Sequence, residues 1–197
     1  MRFRVDDTLE HYAVANEQDI QSVWETVKNK LNDNSRYISQ VSFDGVMQSA
    51  DYESILFSRY GEINEVQIVS VSEEQLIGET LTEIRTYSVK IINACDSIGN
   101  LFYGDPSVEQ WDMARTLLEA VEWVIQSLSG IANLLSKYPE QVAYVRYLEE
   151  SIRSLNDNLS ALRSAMESED YTAVGDVMKY ELADTFKQLE SVILASG

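Results

Sequence analysis

The apolar residues of this chain change their spacing at a single serine. In VQIVSVSEEQLIGETL, Val66 to Leu81, they crowd into a β-branched run up to Val71, as in a strand. Beyond Ser72 they recur at alternating steps of four and three: Ile77, Leu81, Ile84, Ser88, Ile91, Cys95, Ile98 and Phe102. That rhythm is a heptad seam, and such a helix gains most of its stability by burying the seam against other helices. Ser72 and Gln75 stand at capping-box spacing, with the serine oxygen placed to accept from a free backbone N–H at the helix start. A chain with this break is predicted to be part sheet and part helical assembly, joined at Ser72.

Three more seams follow the first. Gly104-Asp105-Pro106 is expected to stop one helix and start the next, with Asp105 as N-cap and Pro106 in the first turn. The second seam reads Trp111, Ala114, Leu118, Val121, Ile125, Leu128, Ala132 and Leu135. Tyr138-Pro139-Glu140 interrupts the chain, and a third seam runs Val142, Val145, Leu148, Ile152, Leu155, Leu159, Leu162 and Met166. After the polar stretch Glu167–Asp170, a fourth carries Val174, Met178, Leu182, Phe186, Leu189 and Ile193. Four long amphipathic helices with short connections predict an antiparallel up-down four-helix bundle over residues 73–197. Gly175, inside the fourth helix, is expected where two backbones approach closely, because glycine costs a helix about 1 kcal/mol against alanine.

Residues 1–72 read differently. Met1–Val5 alternates like a strand, Asp6-Asp7-Thr8 supplies a turn, and Leu9–Ala15 reads as the return arm of a hairpin. Ile20, Val23, Trp24, Val27 and Leu31 make one helical stripe. A strand over Tyr37–Phe43 is followed by Asp44-Gly45, a type I′ turn pair, and a short return strand at Val46-Met47. Asp51–Tyr60 suits a helical turn or two, and Glu65–Val71 a last strand. The order strand, strand, helix, strand, short strand, helical turn, strand resembles a ubiquitin-like β-grasp module, in which a sheet wraps around one helix. The resemblance implies an α+β fold class with a β-grasp-like head, 1–72, before the bundle, 73–197. It does not carry over covalent tagging: a conjugating modifier ends in an exposed diglycine, whereas this chain runs straight into a helix. The fold by itself implies no function.

Charge narrows the function classes. The formal net charge is -18, and neither part is basic: six basic face twelve acidic residues over 1–72, and nine face 21 over 73–197. Nucleic acid and anionic membrane surfaces both require cations, so neither is an expected partner. No run of about eighteen apolar residues occurs that could span a bilayer. MRFRVDDTLEHY, charged at alternate positions, does not read as a signal peptide. One cysteine, Cys95, excludes an internal disulfide, and a cytoplasmic location is expected.

Chemical motifs are sparse. His11 is a lone histidine in a predicted strand and reads as a surface residue. The seams hold aliphatic residues where a carboxylate-bridged metal bundle would place Glu-x-x-His pairs. Cys95 sits in a seam, where a thiol acts as a small hydrophobe. Phosphate-cradling glycine motifs are absent, and Gly99 and Gly104 read as helix ends. Asn156-Asp157-Asn158 reads as a solvated helix face, as do Glu79/Glu83 and Glu119/Glu122. No catalytic residue, cofactor or metal site is predicted. The aromatics are more informative: Trp123, Tyr144 and Tyr147 lie beside the seams, where large rings with a polar tip suit an interface. The expected function is therefore a non-enzymatic interaction protein, an adapter, chaperone or assembly factor. Its expected partner is another protein, basic or offering an amphipathic helix, in the manner of acidic helical export chaperones. The alternative is a small-molecule sensor or enzyme with its site between head and bundle, and the third reading is a homo-oligomer.

Overall fold

Ser72 ends a strand and Glu73 begins a helix, with no loop between them. The computed structural model describes residues 1–48 and 51–195. It divides into two compact units, Met1–Gly78 and Glu79–Gly197.

The first unit contains β1 (Arg2–Val5), β2 (Thr8–His11), α1 (Glu17–Asp33), β3 (Arg36–Phe43), β4 (Val46–Gln48), α2 (Tyr52–Ser58) and β5 (Glu65–Ser72). The five strands form one sheet in the order β2-β1-β5-β3-β4. β1 and β5 are parallel at its centre and every other neighbouring pair is antiparallel. The hairpin's return arm is shorter than its sequence reading, ending at His11 rather than Ala15. α1 starts where the Asn16 side chain accepts from the Asp19 N–H, and its acidic first turn favours the positive end of the helix dipole. Its stripe, Ile20, Trp24, Val27 and Leu31, packs with Phe3, Val41, Leu56, Val66 and Ile68 into one buried core. Trp24 is fully buried, so its indole N–H needs a partner, and it donates to Glu53 Oε1 of α2 at 2.9 Å.

Two aspartates in left-handed backbone conformation tie β5 at its two ends. Asp6 (φ 50°) turns β1 into β2 and accepts from the backbone N–H of Ser70 at 2.8 Å and its hydroxyl at 2.7 Å. Asp44 (φ 48°) and Gly45 (φ 82°) make the β3–β4 turn, and the Asp44 carboxylate accepts from the N–H groups of Asn64 and Glu65. Burial opposes ionisation of Asp6, but Ser70 and Arg36 outweigh it and hold the carboxyl below its ordinary range. Glu53 is held low by the Trp24 indole, against burial and with help from Lys28, and Glu10 by Lys30 and Tyr12.

The second unit is helical: the body of α3 (Glu73–Gly99), a 3-10 turn (Asn100–Tyr103), α4 (Val108–Leu135), a 3-10 turn (Pro139–Gln141), α5 (Val142–Glu167), α6 (Tyr171–Asp176), a π-helical segment (Val177–Leu182) and α7 (Ala183–Ala195). The last three run on as one continuous rod. Helix α4 begins later than Asp105 suggests: Ser107 is the N-cap and forms a complete capping box with Gln110. The second seam is turned by one residue, with Leu117, Val124 and Ile131 buried and Leu118 and Ile125 only half-buried. Val142, read as a seam residue, is exposed in the first turn of α5. Asn158 is not a solvated residue; it is buried, and its amide donates to Thr185 Oγ1 on α7 at 2.9 Å. Gly99 does more than end a helix. A Cβ added to Gly175 would stand 2.7 Å from the Gly99 carbonyl oxygen, and one on Gly99 would meet the Lys179 side chain at 2.6 Å.

The π-helical segment answers the spacing of the fourth seam. Val174, Met178, Leu182 and Phe186 are separated by three successive steps of four, and all are buried. An α-helix advances about 400° in four residues, so three such steps would rotate the seam by roughly 120°. A π turn takes up one extra residue and returns the seam to the core.

Two outcomes follow from this packing. Gly175→Ala places a methyl against a backbone oxygen that cannot rotate aside and is expected to cost about 1–3 kcal/mol. Gly130→Ala, on α4 with nothing within 4 Å of the added Cβ, is expected to stabilise by about 0.5–1 kcal/mol. Urea unfolding of both variants checks the opposite signs. Acid should act through Asp6, Glu10 and Glu53, whose folded pKa values lie below their unfolded ones. Their stabilisation is complete above about pH 5 and is lost as pH falls through the lowered values. With Trp111 and Trp123 replaced by phenylalanine, Trp24 fluorescence should report a urea midpoint that falls between about pH 6 and pH 3. Glu53→Gln should shrink that fall.

Candidate functional site: an apolar groove between two helices

Helix α4 runs close along α5, whereas α3 and α4 keep their backbones apart. The space between α3 and α4 is a groove of about 390 Å³. Its floor is Ile91 and Ile98 of α3 with Leu117 of α4, all of them seam residues at most 5% exposed. Its breadth comes from small side chains, Ala94 on one wall and Thr116 and Ala120 on the other. Met113 stands half-exposed at one end. At the other end lies Tyr87, whose ring packs on Trp123 with centroids 4.8 Å apart. Lys90 is the one charged residue among those lining the groove, and its ammonium sits 5.2 Å from the centre of the Tyr87 ring, within cation–π range. The surface is thus apolar over three helical turns, with an aromatic pair at one end and a flexible thioether at the other.

The three residues picked from sequence do not meet in one place. Trp123 is half-buried and joins the groove through Tyr87. Tyr144, half-buried, and Tyr147, exposed, are on α5, which contributes nothing to the groove lining. Tyr87 directly precedes the seam residue Ser88 in the sequence. Ala94, Met113 and Ala120 were not singled out, although two alanines next to facing seams are the sequence signal for a gap between helices.

Cys95 lies fully buried one residue from Ala94, and burial pushes its thiol up to about 12, so it packs as an apolar group. His11 is exposed on β2. Among the described residues, no three His, Cys, Asp or Glu side chains come together where they could hold a metal ion. Among the described residues no helix is long and apolar enough to cross a membrane.

One polar cluster gathers at the Gly99–Gly175 contact. The Lys179 ammonium donates to Asn100 Oδ1 at 2.6 Å, near the carbonyl-rich end of α3, and lies over the rings of Tyr103 and Tyr180. The Tyr103 hydroxyl donates to Asp176 Oδ1 at 2.7 Å, which holds its proton above the usual phenol range. These bonds join the end of α3 to the last helical rod and account for the polar atoms present, so the cluster reads as a structural tie.

No curated protein and no solved structure matches the chain. Residues 79–192 match a family described as a domain of unknown function, DUF8042, and the match begins at the first residue of the second compact unit. It covers more than half of the sequence, and the chain belongs to the DUF8042 family.

Proposed function

We propose that this is a non-enzymatic interaction protein, an adapter, chaperone or assembly factor, whose α3–α4 groove receives a segment of another protein. The observation that carries the reading is the groove itself: an open apolar channel ending at the Tyr87–Trp123 pair, on a surface otherwise rich in charge. Exposed apolar surface of this kind costs solubility unless something covers it. The net charge of -18 argues against nucleic acid or an anionic membrane as the covering partner. In the same reading the first unit is a ubiquitin-like β-grasp domain, supported by its strand order and the parallel β1–β5 pair. The helices from α3 onward form an antiparallel up-down four-helix bundle, supported by their buried stripes and short connections. A reducing cytoplasmic setting fits the single buried thiol.

The test uses the full chain as bait in a native lysate, beside Ala120→Trp, which fills the groove, and Tyr147→Ser, which alters α5 alone. A stoichiometric protein kept by wild type and Tyr147→Ser but lost by Ala120→Trp is the expected result, with circular dichroism confirming that both variants are folded. A protein held equally by Ala120→Trp would place binding elsewhere and sink the groove reading.

A further inference from the structure

We infer that the occupant of the α3–α4 groove is a single amphipathic helix of about three turns with basic flanks, a conclusion that rests on the groove being the binding surface. Length comes first. From Tyr87 to Ile98 the α3 wall covers twelve residues, eleven rises of 1.5 Å or roughly 16 Å, which matches three turns of a second helix.

The backbone chemistry selects a helix over an extended segment. Both walls are helices whose main-chain N–H and C=O groups bond within their own turns, so the groove has no strand edge to pair with. An extended peptide laid on an apolar floor would leave its own polar backbone groups without partners, at a cost of about 1–3 kcal/mol each. A helix satisfies those groups internally and can present an i, i+3, i+4, i+7 stripe to Ile91, Ile98 and Leu117.

Charge selects the flanks. One helical turn outside the lining positions stand four exposed carboxylates: Glu83 before Tyr87, and Glu109, Asp112 and Glu119 around Met113 and Thr116. Asp112 pairs with Arg115. Among the described residues Glu83, Glu109 and Glu119 are in no ion pair, and the cations left near them are Lys90 in the lining and the exposed Arg85 beside Glu83. A guest helix with lysine or arginine beside its apolar stripe gains attraction from this rim, and an acidic one is repelled. The same argument disfavours a second copy of this chain, since each copy would bring its own net charge of -18.

The inference is tested with two fluorescein-labelled 15-residue peptides sharing one leucine stripe at i, i+3, i+4 and i+7. One carries lysines at the remaining positions and the other glutamates. Fluorescence anisotropy against the full-length protein should show the lysine peptide binding at least about tenfold tighter. Ala94→Trp, which fills the groove, should weaken it at least about tenfold. Met113→Arg, a change at an exposed position that leaves the core intact, should weaken it too. Glu83→Gln with Glu109→Gln and Glu119→Gln should bring the two peptides close to equal. Equal binding of both peptides, abolished by Ala94→Trp, would overturn the basic-flank inference and leave the groove as a binding surface. A lysine peptide that ignores both Ala94→Trp and Met113→Arg would overturn it as a general attraction to an acidic surface. Binding of neither peptide would overturn the inference and the groove reading together.

Discussion

Two glycines meet where α3 ends and the last helical rod begins its π turn. With no side chain on Gly99 or Gly175, the two backbones close to a distance that a methyl would prevent. The neighbouring polar bonds depend on that approach. Lys179 reaches Asn100 because the stem of its side chain lies in the space that a side chain on Gly99 would fill, and Tyr103 reaches Asp176 across the same contact. Each such exposed bond is weak against competing water, and each needs its geometry supplied by something stiffer. The glycine contact supplies it.

The other flank of α3 is the counterpart of this tight side. Drawn toward the last rod at its end, α3 faces α4 across alanines and a threonine, which are too small to bridge the gap. Packing at interior density on both flanks would have needed larger residues at Ala94 and Ala120. The groove is therefore a feature of side-chain choice. It has a floor as well buried as any core, yet its walls stop short of each other. The first unit shows the opposite design, in which a single large residue, Trp24, fills the space between sheet and helices and finds a hydrogen-bond partner in Glu53.

Much of this was legible in the sequence. The element order of residues 1–72 and the helix starts after Ser72 and Glu167–Asp170 followed from periodicity and turn chemistry, which are local. Gly175 was legible as a close contact because a helix tolerates glycine poorly without a reason. What stayed hidden depended on partners distant in the chain. Asn158 looks solvated next to Asn156 and Asp157 until Thr185 is brought opposite it. The choice between Leu117 and Leu118, or between Val124 and Ile125, cannot be made from a seam read alone, because both residues of each pair are apolar and facing helices decide which is buried. The groove is an absence of volume between two helices, and no single residue announces it. Trp123 pointed to it only through Tyr87, 36 residues earlier.

The π turn has a consequence for how this chain can vary. It stores one residue beyond what a straight α-helix needs between Val174 and Phe186, while the seam on both sides remains in register with the core. Losing that residue would tighten the turn to α-helix and leave Phe186, Leu189 and Ile193 facing inward. Losing a residue anywhere else in the rod would swing them about 100° away. Within this rod, Val177–Leu182 is thus the stretch where sequences of the family can differ in length by one without rebuilding the interior.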